Sequence, residues 1–466
     1  MKLSFREKAS YGIGAVGKDM VYMLSASYIL YYYQDLLGVK AVTMGIILMA
    51  ARVFDAFNDP IMGVLVAKTK TRWGKFRPWL LMGTLLNAVL LYLMFSAPVS
   101  LEGKSLVAYA AIVYVMWGVT YTMMDIPYWS MIPAFTQGGK EREGLTGLAR
   151  SCAGVGSALI SIFTVMLVQA LGGGDKKANE IEGFHMLALI VAGIFVLFIL
   201  ITCLNIKEKS NVDMETPSVG QMFKALVQND QAMTVVVAIV LINCAMYITS
   251  NLVIYFFKYA IAGNDWRAKF TLFFSFGGGI QILGMMLFYP LLRKFFSTKK
   301  VFYVCMLAEM IGYGVLLLLT FTPAMNIVYV LFVPAFFIFA ASGVLQVLTT
   351  VFLANTVDYG ELKNDRRDES VIFSMQTFVV KLASGLAALI VSICLSVFHI
   401  SSDTSTDTVV KAINATSKMG LCMTMTILPI LGLIIATIVF RKHFMLDEKK
   451  VEEIVSQIKE KRGASE

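Results

Sequence analysis

Long apolar runs alternate with short polar segments along the whole chain of 466 residues. Each run has about 20 residues, the length at which a helix crosses the ~30 Å hydrocarbon layer of a bilayer. The predicted spans lie near 11–35, 43–66, 79–97, 106–133, 147–171, 183–206, 232–261, 267–292, 300–320, 326–356, 371–398 and 416–440. The pattern predicts an all-α integral membrane protein with about twelve transmembrane helices.

One sizeable interior hydrophilic segment divides the spans into two groups of six. Two six-helix halves with a substrate site near the bilayer midplane are typical of secondary transporters. The basic segment "KTKTRWGKFRPW" after span two has a weak counterpart, "RKFFSTKKVFY", after span eight, which suggests an internal repeat. We predict an N-terminal six-helix bundle over 1–206, a central cytoplasmic loop over 207–231, a C-terminal six-helix bundle over 232–440 and a cytoplasmic tail over 441–466.

The tail carries apolar residues at helical spacing: Val451, Ile454, Val455 and Ile458. This spacing predicts a short amphipathic helix lying against the cytoplasmic face. A docking site there for a cytoplasmic regulatory protein stays open.

Composition supports membrane insertion, because 58% of the residues are hydrophobic and only 15% are charged. The net charge of +9 is concentrated in alternate loops, among them "KTKTRWGKFR", "LRKFFSTKK" and "ELKNDRR". Positively charged loops stay in the cytoplasm, so both termini are predicted to be cytoplasmic. The bacterial inner membrane is the expected location, which the family resemblance described below implies. This distribution argues against a nucleic-acid partner.

The six cysteines lie in separate apolar segments without CxxC spacing. They are predicted to be small buried side chains, with neither a disulfide framework nor a metal site.

Charged side chains interrupt the second predicted span in "RVFDAFNDPIMG". Asp55 and Asp59 are four residues apart and share one helix face, which Arg52 and Asn58 flank. Asp55 lies roughly 20 Å along the helix from the basic end of the span, near mid-bilayer. A carboxylate at that depth costs several kcal/mol unless it faces a cavity, a partner or an ion.

The residue types of this segment suit a small alkali cation. Two carboxylates, an amide and a helix loosened by Pro60 supply hard oxygen ligands, to which Thr122 in span four could add a hydroxyl. No second DxxxD motif or nearby histidine favours a transition metal. The structural alternative is that Arg52 and Lys381 neutralise the two aspartates and hold helices together.

A second set of polar residues interrupts four other spans. Carboxylate, guanidinium, amide and indole groups together suit a sugar, whose hydroxyls need both donors and acceptors. The alternatives are that Trp129 is an interface aromatic and that Gln376 and Thr377 join helices. The set comprises Lys18, Asp19, Asp125, Trp129, Arg150, Gln376, Thr377 and Lys381.

Six motifs along the chain resemble the glycoside–pentoside–hexuronide:cation symporters of the major facilitator superfamily. They are "YGIGAVGKDM", "RVFDAFNDPIMG", "TRWGKFRPW", "YTMMDIPYW", "VDYGELK" and "MQTFVVK". The resemblance implies two six-helix bundles and secondary active transport by alternating access, without a catalytic residue or a resident cofactor. It implies a cation site of Asp55, Asn58, Asp59 and Thr122. It implies that the set from Lys18 to Lys381 binds the sugar, with Asp19 and Asp125 as the main hydroxyl acceptors.

The resemblance favours Na⁺-coupled symport of melibiose or another galactoside, with Li⁺ or H⁺ as other coupling ions. A proton-coupled pentoside or glucuronide symporter of the same fold is the main alternative. Three others remain: a carrier of lipid-like molecules, a binding or sensor protein, and an intramembrane prenyltransferase-type enzyme, in which "DAFND" would bind magnesium-diphosphate.

Overall fold

A computed structural model describes residues 3–135, 139–174, 176–208, 219–261, 263, 265–364, 369–400 and 413–463. The chain divides into two compact units, Met1–Thr216 with Ile400–Val409 and Pro217–His399 with Val410–Glu466. The described residues are helical throughout, apart from turns and short connections.

The first unit contains seven helices in its described part. They are α1 Phe5–Tyr31, α2 Ala41–Lys68, α3 Arg77–Met94, α4 Gly103–Ser130, the short α5 Ile132–Phe135, α6 Gly139–Gly172 and α7 Lys177–Asn205. A π-helical segment, Tyr32–Leu36, continues α1. The largest interfaces join α1 to α6 and α7, and α3 to α4.

The second unit contains nine helices in its described part. Its helices are α8 Val219–Gln228, α9 Asp230–Tyr255, α10 Trp266–Leu283, α11 Tyr289–Phe295, α12 Thr298–Thr320, α13 Val328–Asn364, α14 Glu369–Val397, α15 Ala415–His443 and α16 Glu448–Gly463. A π-helical segment, Phe256–Ile261, continues α9 just as one continues α1. The internal repeat suggested by two basic segments therefore extends to the end of each unit's first long helix.

Within the described residues, eleven helices are long and apolar enough to cross a membrane. The long helix outside that group is α1, which Lys18, Asp19 and several tyrosines make more polar. With α1 included, the long helices match the predicted number of spans. Several helices extend beyond the predicted apolar runs, since a helix need not end where the bilayer does; α13, for example, continues to Asn364.

The segment predicted as a central loop contains one helix in its described part, α8. Ala225 and Leu226 of α8 are buried, and Phe223 meets Phe378 edge-on with ring centroids 6.0 Å apart. Apolar residues at helical spacing explain why this part is helical although the segment as a whole is hydrophilic. Residues 209–218 lie outside the described part.

The tail forms the predicted amphipathic helix, α16, which packs against α13. Ile454 and Ile458 are buried there, and Val451 is half-buried. The side chain of Val455 lies outside the described residues.

A glutamate just after the last long helix of each unit caps the N-terminus of a helix that follows a basic segment. In the first unit Glu208 accepts from the backbone N–H groups of Lys75, Phe76 and Arg77 at 2.7, 2.9 and 3.2 Å, at the start of α3. These N–H groups have no acceptor within their helix, and the helix dipole favours an anion there.

In the second unit Glu448 does the same for α12. It accepts from the backbone N–H of Thr298 at 2.6 Å and pairs with Arg293 at 3.0 Å. Burial alone would raise the pKa of this carboxyl, but the hydrogen bonds from Thr298 and the charge of Arg293 outweigh burial and lower it.

All six cysteines are free, and all are buried except Cys152, which is half-buried.

Candidate functional site

The four predicted cation ligands come together where α2 packs against α4. Asp55 is buried, and Asn58 and Asp59 are half-buried on the same side of α2. Thr122 of α4 donates to Oδ1 of Asp59 at 2.9 Å. A hydroxyl oxygen and two carboxylates thus lie on two neighbouring helices, within one turn of each other along α2.

Arg52 neutralises one of the two carboxylates. Its Nη1 lies 3.1 Å from Oδ2 of Asp55, and both side chains are 5% exposed. The guanidinium also lies over the rings of Tyr22 and Tyr114, at 5.6 and 5.8 Å. Arg52 therefore neutralises Asp55 and holds that carboxylate in position, but both residues lie on α2, so this pair does not hold two helices together.

Two further features of this cluster bear on cation binding. A Cβ atom at Gly118 of α4 would lie 2.9 Å from Oδ1 of Asp55, so only glycine lets this carboxylate approach α4 so closely. The buried Nδ2 of Asn58 has no hydrogen-bond partner. Rotating the amide by half a turn places its Oδ1 at the same spot, where it is a suitable cation ligand.

The two carboxylates of this cluster suit a monovalent ion. Within the described part of the chain, no group of three or more His, Cys, Asp or Glu side chains could hold a metal ion. Any ion bound here therefore relies on Asn58 and Thr122 as well as on Asp55 and Asp59.

The predicted sugar residues of the first unit form a second cluster, centred on Lys18. Its Nζ lies 2.7 Å from Oδ1 of Asp125 and 3.1 Å from Oδ1 of Asp19. The Lys18 side chain is 5% exposed, whereas those of Asp19 and Asp125 are 22% and 17% exposed. The lysine thus lies behind two carboxylates that remain accessible, and α1 and α4 each supply one of them.

An aromatic wall adjoins these carboxylates. Nε1 of Trp129 donates to Oδ1 of Asp125 at 3.1 Å, and the guanidinium of Arg150 lies 4.2 Å from the centre of the Trp129 ring. Arg150 comes from α6 and is exposed. The hydrogen bond to Asp125 places Trp129 beside the carboxylates of the cluster, and its role in sugar binding stays a prediction.

Glycines allow the helices of this cluster to pack closely. A Cβ at Gly156 of α6 would lie 2.2 Å from the carbonyl oxygen of Val16, so the backbones of α1 and α6 touch here. This close approach brings Ser157 to within 3.1 Å of Asp19 Oδ2, to which it donates.

Sequence reasoning missed four participants: Tyr22, Gly118, Tyr121 and Ser157. Ser157 lies seven residues after Arg150, on the same face of α6, and Tyr121 lies one turn before Asp125. Their spacing from Arg150 and Asp125 was the signal in the sequence that could have identified Ser157 and Tyr121.

Tyr22 and Tyr121 also connect the two clusters. Their ring centroids lie 5.5 Å apart. Tyr22 lies under the guanidinium of Arg52, and the hydroxyl of Tyr121 accepts from Nζ of Lys18 at 3.1 Å.

The predicted sugar residues of the second half all lie on α14. Lys381 is buried, Gln376 is half-buried and Thr377 is exposed. Thr377 and Lys381 are four residues apart and share one face of the helix. Their roles stay predictions.

Comparison with known proteins decides the family. A family model described as "MFS/sugar transport protein" matches residues 10–448. The chain belongs to this family. Its predicted membership of the major facilitator sugar symporters is thereby confirmed.

Several relatives of this MFS sugar transporter are similar to it over nearly its whole length. It is 28% identical to a lactose permease of Lactobacillus delbrueckii subsp. bulgaricus, over 100% of this chain and 74% of that protein. It is 28% identical to a raffinose carrier protein of Pediococcus pentosaceus, over 96% of this chain and 70% of the carrier. It is 27% identical to an inner membrane symporter of Escherichia coli (strain K12), over 98% of this chain and 95% of that protein.

A solved D-xylose-proton symporter shares the fold, with a TM-score of 0.64 and 13% identity over 93% of this chain and 97% of that one. The protein is therefore a multi-pass transporter and not an enzyme, which excludes the prenyltransferase-type alternative.

Proposed function

We propose that this transporter carries a glycoside into the bacterial cell together with a cation, by alternating access. Na⁺ is the favoured ion and melibiose or another galactoside the favoured sugar. The cytoplasmic termini, which the distribution of Lys and Arg indicates, and the bacterial inner membrane are both part of the proposal.

One observation carries it: α4 serves both clusters. Thr122, which donates to Asp59, lies three residues before Asp125, which pairs with Lys18. Residues three apart on a helix are neighbours on one face, so a displacement of α4 changes both clusters.

The cation cluster suits sodium better than a proton alone. A proton needs only one carboxylate, whereas an alkali ion needs several oxygens, which the cluster offers in Asp55, Asn58, Asp59 and Thr122. Li⁺ has the same ligand preference. In the proton-coupled alternative, Asp59 would carry the proton.

The Lys18 cluster suits a sugar better than an apolar cargo. Asp19 and Asp125 accept from hydroxyls, Arg150 donates, and the Trp129 ring can pack against the apolar face of a sugar ring. A lipid-like molecule would cover these polar groups with apolar surface and offer them no further hydrogen bonds. We propose that Gln376, Thr377 and Lys381 of the second unit also bind the sugar.

Coupling follows if each ligand stabilises the arrangement that the other needs. The Tyr22–Tyr121 contact joins Arg52 of one cluster to Lys18 of the other. Such reciprocal coupling is typically worth about 1–3 kcal/mol. Partners beyond sugar, ion and lipid, including a cytoplasmic regulator, stay predictions without a supporting contact.

The test is melibiose uptake into membrane vesicles at fixed pH, with and without an inward sodium gradient. Wild type, Asp59→Asn and, as a control, Asp265→Asn are compared, since Asp265 is exposed and pairs only locally with Lys269. Sodium-driven accumulation that is lost in Asp59→Asn and kept in the control supports the proposal.

Three other outcomes refute parts of it. Accumulation that does not depend on sodium but follows a proton gradient would show that the coupling ion is H⁺ and not Na⁺. Absence of melibiose uptake under either gradient would show that melibiose is not the substrate, and a panel of pentosides and glucuronides then tests the alternative. Bound sugar without accumulation would indicate a binding or sensor protein.

A further inference from the structure

Glu309 is a buried acid that neither cluster uses. It lies in the middle of α12 and is 0% exposed, and neither of its carboxyl oxygens has a hydrogen-bond partner among the residues that the structure describes. It is the one acidic residue in the apolar run "VCMLAEMIGYG". An unpartnered buried carboxyl is rare and requires an explanation.

The neighbours of Glu309 on its own helix are weakly polar. Cys305 and Tyr313 lie one turn before and one turn after it. The hydroxyl of Tyr313 accepts from Thr249 of α9 at 2.9 Å. None of these groups carries a positive charge that could balance an ionised carboxylate.

The two helices that pack most extensively on α12 add no charge at this depth. They are α13 and α15. Between Tyr329 and Asp358, α13 has no titratable residue, and between Cys422 and Arg441, α15 has none. Opposite Gly312, α13 presents Ile338, Phe337 and the backbone of Pro334.

The short helices next to α12 do not supply a partner either. The basic residues Arg293 and Lys294 of α11 precede the start of α12 at Thr298, about 16 Å along the helix from Glu309. The 3₁₀ turn Pro323–Asn326 follows the other end and has no titratable side chain.

Burial decides the protonation state. An ionised carboxylate without a partner in an apolar interior costs several kcal/mol, more than the ~1–3 kcal/mol of a neutral acid with an unmade hydrogen bond. We propose that Glu309 is a proton-binding site: its carboxyl keeps a proton in the folded second unit at neutral pH and releases it to water only when this region opens or unfolds. The proposal is independent of the sugar and of the ion at Asp55 and Asp59.

The first test is infrared spectroscopy of the purified protein at neutral pH. A protonated carboxyl has a C=O stretch at higher frequency than the amide and carboxylate bands. We expect this band in wild type and in the control Glu453→Gln, which removes an exposed glutamate that pairs with Lys450. We expect its intensity to fall in Glu309→Gln. Identical spectra for wild type and Glu309→Gln would overturn the proposal.

The second test is the apparent melting temperature between about pH 5 and about pH 8, above the ordinary range of a glutamate. If the folded state keeps a proton that the unfolded state loses, stability falls as pH rises, by about tenfold in the unfolding equilibrium per pH unit. Wild type should therefore lose stability relative to Glu309→Gln as pH rises. A constant difference across this range would overturn the proposal.

Glu309→Met serves if the glutamine variant does not fold, because it keeps the length of the side chain without a polar end. It is expected to lack the infrared band and the Glu309-dependent pH slope. Retention of either in this variant would assign the effect to another group.

Discussion

Gly118→Ala is expected to weaken cation binding without disturbing the fold. The new Cβ would lie 2.9 Å from Oδ1 of Asp55, where ordinary contacts begin at 3.4 Å. The carboxylate must therefore retreat by about half an ångström, since the packed interior does not yield freely. Lengthening an ion–oxygen distance from about 2.4 to about 2.9 Å at an effective dielectric constant of about 20 costs about 1.2 kcal/mol.

This energy corresponds to a nearly tenfold rise in the sodium concentration that half-saturates the protein. The assay is the sodium dependence of sugar binding to the purified transporter. Gly154→Ala is the matched control, because a Cβ there meets nothing within 4 Å. A helical Gly→Ala change without a clash is neutral or stabilising. An unchanged sodium dependence in Gly118→Ala would refute the assignment of Asp55 to the cation.

Three further changes test the contacts described above. Thr122→Val removes the hydroxyl that donates to Asp59 and should reduce sodium affinity about fivefold to tenfold in the same binding assay. The control Thr120→Val affects a hydrogen bond to Asn87 instead and should leave sodium affinity unchanged. Glu208→Ala leaves three N–H groups at the start of α3 uncapped and should cost about 1–2 kcal/mol of stability in thermal melts. Glu208→Gln keeps an acceptor and should lose less stability. Equal losses of stability in the two variants would contradict the capping role. Because the pKa of Glu448 is lowered in the folded state, its contribution to stability is present above the ordinary pKa of 4.5 and is lost as pH falls through the lowered pKa. The stability difference between wild type and Glu448→Gln should therefore shrink in acid. A difference that grows in acid would contradict the lowered pKa.

The spans could be predicted from sequence because membrane insertion depends on local hydropathy. Helix ends were less predictable, since helices such as α13 continue into water where hydropathy no longer marks them. The helix α8 inside the predicted central loop was missed for a different reason: it has only 10 residues, so its apolar face is too short to stand out in a hydrophilic segment.

The candidate site was predictable in its membership but not in its pairing. Buried charges such as Lys18 and Asp125 stand out in apolar runs because they are costly there. That they form one ion pair depends on helices whose contacting residues are 107 positions apart. Glycines and tyrosines gave no such signal, because both are common in membrane helices for ordinary packing reasons.

The sequence by itself determined that the chain crosses the membrane many times, that it has two similar halves and that carboxylates lie within its spans. These properties follow from residue type and spacing along one helix. Only the tertiary structure decided that Arg52 pairs with Asp55, that Gly118 admits this carboxylate, and that Glu309 has no partner. These environments depend on which helix faces meet in the folded unit. Close packing of all its helices decides which faces meet.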